Sequence, residues 1–206
     1  GRRRQAYCFV MTLCWSRHQY VEFVPDQRME TWIGCHQRAF ESFGGVPREL
    51  VIDNLKAAVL RAALEDQKLA EPYRKLAQHY GTLIHPCRPR AAQHKGIVEN
   101  GVHYVQRNLL ATEQPADFTE ANRAARSWVM EVAGVRDHGT THEPPLRRFR
   151  EEEQAALLPL PEEPFSLREV RGATVHRDCH VQIEGSYYSA PFSYVGQRLD
   201  AYVYQH

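Results

Sequence analysis

The sequence predicts a layered α/β fold followed by a small all-β module, and three observations carry that expectation. Ala6 to Leu13 and Tyr20 to Val24 are rich in β-branched and aromatic residues and flank a polar turn, Cys14 to Gln19, so they read as an antiparallel pair. Two further short apolar runs, Leu50-Val51-Ile52 and Thr82-Leu83-Ile84-His85, alternate with segments of helical spacing. From Val170 to Tyr204 apolar and polar residues alternate between turn signals. An antiparallel pair joined to helix-linked strands is the mark of a layered fold.

Element by element, Pro25-Asp26 ends the second strand, and Asp26 is suited to cap the next helix. Met29, Ile33, Phe40 and Phe43, with Trp32 alongside, recur at helical spacing until Gly44-Gly45 stops the helix. Ala57 to Leu69 is Ala-rich and stays open between helix and loop. Pro72 suits a first helical turn. Tyr73, Leu76, Ala77 and Tyr80 then form one face, and Gly81 ends the helix. Lys95 to Leu110 reads as a helix with Val98, Val102, Val105 and Leu109 on one stripe. Another helix begins at Thr119 and runs through Trp128 to about Ala133. Glu151-Glu152-Glu153 with Pro159, Pro161 and Pro164 reads as a linker. The expected division is therefore a core over 1–150, a Pro/Glu-rich linker over 151–165 and a small, barrel-like β module over 166–206, with turns at Arg177-Asp178, Glu184-Gly185 and Val195-Gly196.

With 206 residues, 43% of them hydrophobic, the chain can bury a substantial core. Its 26 Lys+Arg against 25 Asp+Glu exclude a globally basic surface, so any nucleic-acid contact must be local, and residues 85–95 are the basic stretch. Five cysteines, an odd number with no CxxC pair, argue for a reducing compartment and against a disulfide frame or zinc knuckle. His176, Cys179 and His180 lack a partner cluster and read as strand and turn residues. The apolar run Tyr7 to Leu13 is too short to span a membrane, and no membrane association is expected. Gly1-Arg2-Arg3-Arg4 reads as a turn feeding a strand, which suggests an N-terminally truncated piece.

The chemistry-bearing segments are Val51-Ile52-Asp53-Asn54-Leu55-Lys56 and Lys95-Gly96-Ile97-Val98-Glu99-Asn100, with the basic loop His85-Pro86-Cys87-Arg88-Pro89-Arg90 between them. Two carboxylates beside Arg and Lys suit metal-assisted phosphoryl transfer on a nucleic acid, the cations neutralising charge on the attacking and leaving oxygens. Each acid also has an ordinary reading. Asp53-Asn54 is common turn chemistry, and Glu99, placed in the first turn of its helix, is favoured there by the helix dipole. Together they are stronger, because ligands gather at the C-terminal ends of strands in such folds. Gly101, inside the helix, costs about 1 kcal/mol against Ala. That cost points to close packing, close approach of a ligand, or a kink.

These two segments resemble the catalytic core of DDE transposases and retroviral integrases, an RNase H-like fold, and above all the IstA-type insertion-sequence transposases. Phe9-Val10-Met11-Thr12-Leu13, Trp15-Ser16-Arg17, Ala39-Phe40-Glu41, Gly44-Gly45-Val46-Pro47 and His138-Gly139-Thr140-Thr141 share the likeness. The resemblance implies that Asp53 is the second acid of a triad and Glu99 the third, 99 − 53 = 46 positions apart. The family's first acid lies on a strand ahead of Ala6 to Leu13. The only Asp before Asp53 is Asp26, on the wrong element, so the first acid and its strand are expected upstream of this chain, which would be catalytically incomplete. The resemblance further implies two Mg²⁺ (or Mn²⁺) ions at Asp53 and Glu99, and a polynucleotidyl transferase that cleaves and joins 3′ DNA ends. Phosphate contacts would come from Arg88, Arg90, His94 and Lys95, with Asn54 and Lys56 near the metals and Arg107 a more distant candidate. Implied partners are transposon-end and target DNA, further copies of the chain and an AAA+ ATPase helper, in the bacterial cytoplasm. An RNase H-like nuclease, or an inactive DNA-binding relative, is the alternative reading.

Overall fold

Alternating β-branched and aromatic residues give two antiparallel strands, β1 (Tyr7–Thr12) and β2 (Gln19–Val24), in register Tyr7↔Val24 through Thr12↔Gln19. The computed structural model describes residues 5–52, 67–86, 92–109, 115–166 and 168–204, and the chain divides into two units, Gly1–Phe165 and Ser166–His206. Every residue of β2 is buried. Because side chains alternate, the strand feeds two cores. Val21 and Phe23 enter one, and Tyr20 and Val24 the other.

The second of these cores lies against α1 (Met29–Phe43), whose Cys35, Ala39 and Phe43 pack on Phe9, Leu13, Tyr20 and Val24. The helix starts with Arg28 at its N-cap position and no side-chain cap, and ends at Gly44 (φ 69°). Asp26, expected as the cap, instead accepts hydrogen bonds from the Arg28 backbone N–H (3.0 Å) and the Thr31 hydroxyl (2.5 Å). It serves the approach to the helix.

The parallel pair β3 (Glu49–Ile52) and β4 (Leu83–Pro86) is bridged by α2 (Gln67–Tyr80), its Tyr73, Leu76, Ala77 and Tyr80 buried on one face as expected. Pro72 does not open α2 but lies inside it, five residues after Gln67. Burial of the Tyr73–Tyr80 face holds the helix through a residue that would otherwise end it.

Across the other face of β1–β2 run α3 (Ala92–Asn108) and α4 (Phe118–Trp128). Val105, Leu109, Ala121, Ala125 and Trp128 close the core on Val21 and Phe23. Asp117 caps α4 by accepting from the Glu120 N–H at 2.8 Å. The helix continues as a π-helical turn, Val129–Ala133. Asn122 grips the outer edge of β2, accepting from the Phe23 N–H (2.6 Å) and donating to the Phe23 carbonyl (3.0 Å).

Residues 151–165, expected to be a linker, pack onto the first unit. The short helix α5 (Pro145–Arg148) runs into a π-helical turn, Phe149–Glu153. There the Glu153 carboxylate accepts from the backbone N–H groups of Trp15 (3.2 Å) and Ser16 (2.9 Å), and Glu152 accepts from the Trp15 indole N–H (2.8 Å). The Arg148 guanidinium lies 4.3 Å from the centre of the Trp15 ring. Leu158 pairs with Val46 in an isolated bridge. The glutamates thus bind a turn that would otherwise leave its N–H groups unpaired.

In the second unit β5 (Arg168–Thr174) pairs with β8 (Arg198–Tyr204), and β6 (His180–Ile183) with β7 (Ser186–Ser189), both antiparallel. The β6–β7 hairpin turns at Glu184-Gly185, both at positive φ. Among the described residues these are two separate two-stranded ladders, and they do not close into the barrel the alternation suggested. Short ladders with mostly exposed β7 side chains lack the continuous pairing that closure needs.

Two predictions test these contacts. Glu153→Ala leaves the N–H of buried Ser16 without an acceptor and should destabilise the chain by about 1–3 kcal/mol in denaturant unfolding. An unchanged midpoint would show that the turn does not depend on it. His18, 5% exposed and stacked on Phe149 (ring centroids 4.9 Å apart), has its pKa lowered to about 4 by burial, with the Arg150 charge adding to the effect. The unfolded chain takes up that proton near pH 6.5 and the folded chain only near pH 4. Stability is therefore full above about pH 6.5 and falls as the pH drops toward 4, by up to roughly 3 kcal/mol. In His18→Phe the fall in melting temperature between pH 7 and pH 5 should shrink, and an undiminished fall would assign acid sensitivity elsewhere.

Candidate active site

β3 and β4 run parallel with Ile52 opposite Pro86, so the chain leaves the sheet at one edge after both strands. Asp53, Asn54 and Lys56 follow Ile52, and Arg88 and Arg90 follow Pro86. These five residues lie outside the described ones, but the strands from which they emerge end side by side. Lys95, expected as the first residue of the helix, and His94, expected just ahead of it, both fall in the first turn of α3, which begins at Ala92. Ala92 and Gln93 extend the helix upstream because they are good helix formers.

The longer helix also changes the setting of Glu99. Seven residues after Ala92, it lies in the third turn of α3 and not the first. The favourable field of the N-terminus is spent within the first turn, so the dipole does not account for a carboxylate there. Around the helix, Gly101, Val105 and Leu109 form the buried stripe that faces β1 and β2. Glu99, exposed, stands about a third of a turn away, in line with Val102 and Gln106 at i+3 and i+7.

Val102 and Gln106 line a cavity of about 630 Å³. Its two long walls are Cys8–Cys14, which includes most of β1, and Pro47–Ile52, which includes β3. Consecutive residues line each wall. A strand presenting a face would contribute alternate residues, so β1 and β3 present their edges to the cavity. Consistent with this, β1 has only β2 as ladder partner and β3 only β4 among the described residues. Trp32 and His36 of α1 complete the cavity, with the His36 ring nitrogens 2.9 Å from the Trp32 carbonyl oxygen and 3.1 Å from the Tyr73 hydroxyl. The flank of α3 that carries Glu99 and the end of β3 that leads into Asp53 therefore border one cavity.

Two other acids of the first unit, Glu22 and Asp26, are committed elsewhere. Glu22, almost fully buried on β2, accepts from Arg38 Nε at 2.9 Å and from the Tyr20 hydroxyl at 3.0 Å. Burial, reinforced by the Glu22 charge, raises the Tyr20 hydroxyl well above its ordinary pKa and the Cys35 thiol to about 12, so neither ionises at neutral pH. Asp26 is held at the start of α1. Among the described residues no three His, Cys, Asp or Glu side chains group to hold a metal ion. Glu99 is one hard oxygen donor, the type that Mg²⁺ and Mn²⁺ prefer.

The sequence reading missed Thr12 and Gln19. Gln19 Nε2 donates to Thr12 Oγ1 at 3.1 Å, directly beneath Gly101. The glycine within a helix was the one signal for them.

Residues 1–92 match the Integrase core domain and residues 160–206 the Mu transposase C-terminal domain. Rv3428c of Mycobacterium tuberculosis, which carries a provisional transposase name, is 38% identical over 98% of this chain and 49% of its own length. The transposase for insertion sequence element IS21 of Pseudomonas aeruginosa is 34% identical over 96% of this chain and 50% of its own, and the IS21-like transposase of Bacteroides fragilis 31% identical over 93% and 37%. The chain thus spans about half or less of the length of these relatives. A chain of the simian T-cell lymphotropic virus intasome in complex with PP2A regulatory subunit B56 gamma superposes with TM-score 0.46 at 12% identity, covering 89% of this chain and 66% of its own, too loose a likeness to bear on the fold. No helix among the described residues is long and apolar enough to cross a membrane. With an integrase core match followed by a Mu transposase C-terminal match, this chain is similar over nearly its whole length to IS21-family insertion-sequence transposases.

Proposed function

We propose that this chain is part of a DNA transposase of RNase H-like fold that cleaves and joins the 3′ ends of an insertion sequence. The observation that carries the reading is the shared cavity, bordered by the end of β3 leading into Asp53 and by the α3 flank bearing Glu99. Asp53 and Glu99 would hold two divalent ions, Mg²⁺ or Mn²⁺, which when bound stabilise charge on the attacking and leaving oxygens. In the first step a water oxygen attacks the scissile phosphorus and the 3′-oxygen leaves, taking up a proton. In the second that 3′-hydroxyl attacks a target phosphodiester and displaces its 3′-oxygen. Arg88, Arg90, His94 and Lys95 would hold the phosphate backbone, with Asn54 and Lys56 beside the reacting strand.

A triad needs a third carboxylate. The edges of β1 and β3 flank a cavity that a further strand, hydrogen-bonded to both, would fill, and we assign the first acid to that strand. In this division residues 1–150 form the core, 151–165 bind back onto it, and 166–206 form a module for DNA or a second copy. The working assembly would include further copies of the chain and an AAA+ ATPase helper, acting on DNA in the bacterial cytoplasm. A nuclease of the same fold is the second reading. It would use the same acids but release hydrolysed ends without joining them.

The test uses a chain extended upstream by one strand and a transposon-end oligonucleotide with target DNA. Mg²⁺- or Mn²⁺-dependent joining is expected, and Asp53→Asn and Glu99→Gln should each lower it at least about 1000-fold while DNA-end binding stays within a few-fold. Joining that survives either substitution removes that residue from the site. Hydrolysis without joined product supports the nuclease.

A further inference from the structure

We propose that Gly101 is a positioning residue for the reaction, because the absence of a side chain there sets how closely α3, and with it Glu99, approaches the β1–β2 sheet. The proposal rests on the transposase reading for its consequence but not for its geometry. A Cβ built at Gly101 would meet Thr12 Oγ1 at 2.7 Å and Gln19 Nε2 at 2.8 Å, closer than such atoms approach in folded proteins. Gly96, on the same helix, has nothing within 4 Å of its Cβ position, so the contact belongs to position 101 and not to glycine in α3 generally.

Neither partner retreats easily. Thr12 is β-branched and stands at the end of β1, and its hydroxyl accepts from Gln19. Gln19 is 6% exposed and its Nε2 is tied to Thr12 Oγ1 at 3.1 Å, so its amide shifts aside only once that hydroxyl is removed. The C-terminal half of α3 is fixed as well. Val105 and Leu109 are buried against Val21, Phe23 and α4, and the Arg136 guanidinium lies 3.2 Å from the centre of the Tyr104 ring. A methyl group at position 101 therefore tilts the N-terminal half outward about that anchor. Glu99 lies only about 3 Å further along the axis. Displacing a reacting group by about 1 Å can cost on the order of 100-fold in rate.

The test compares Gly101→Ala with the double variant Gly101→Ala, Thr12→Ala, in the same upstream-extended chain. Crystal structures should show the Glu99 end of α3 displaced by about 1 Å in the single variant and restored in the double. Joining should fall on the order of 10- to 100-fold in the single variant and recover to within a few-fold in the double, with DNA-end affinity nearly unchanged in both. Alanine is the better helix former, so a purely local helical role predicts no loss. An undisplaced helix, or full joining by Gly101→Ala, overturns the proposal. So does a loss that tracks lowered melting temperature and DNA affinity without recovery in the double variant. If the unmutated chain binds DNA but joins none, the transposase reading fails, and the helix displacement still decides whether Gly101 sets the approach.

Discussion

The two-sided burial of β2 is the constraint from which the first unit follows. A strand buried on both faces requires cover from two directions, and α1 provides one layer while α3 and α4 provide the other. It also leaves no water for a polar side chain, so Glu22 is tolerated only because Arg38 and the Tyr20 hydroxyl surround its carboxylate. Even the strand's outer backbone is satisfied by a side chain, that of Asn122. Among the described residues, the opposite edge of the pair, along β1, has no comparable cover. The difference between a sealed edge and an open one is what places the cavity, and the candidate chemistry, on the β1 side.

Much of this was legible in the sequence because local pattern and global fold agree. The β-branched and aromatic run at Tyr20–Val24, the helical spacing of Met29–Phe43 and the buried face Tyr73–Leu76–Ala77–Tyr80 each specify one element. Readings failed where a long-range contact overrode a local rule. Pro72 is a first-turn residue by preference, yet the packing of the face that follows it carries α2 through it. The glutamates at 152 and 153 signal a solvated tether when read alone. Their real partners are the Trp15 and Ser16 turn, whose need for acceptors is invisible until the fold brings the two together.

At the candidate site, the residue types were readable and their setting was not. Asp53 and Glu99 stand out because acids beside strand ends and basic loops suit phosphate chemistry. The sequence placed Glu99 in a first turn, where a helix dipole would explain it without function. The longer α3 removes that explanation and leaves an exposed acid in line with two cavity-lining residues. Thr12 and Gln19 carry no such signature. They matter through the space they occupy, and only the missing side chain at Gly101 hints at them.

The clasp of Glu152 and Glu153 on the Trp15–Ser16 turn joins positions as far as 138 residues apart. During synthesis at roughly 5–20 residues per second, the β1–β2 turn emerges many seconds before the acids that secure it. The hairpin must therefore persist through most of translation with unpaired turn amides and an exposed Trp15 ring. Native pairing with such sequence separation also slows the final folding step. The β1–β2 hairpin is thus made long before it is locked, and in the interval its turn amides and Trp15 ring stay open to other contacts.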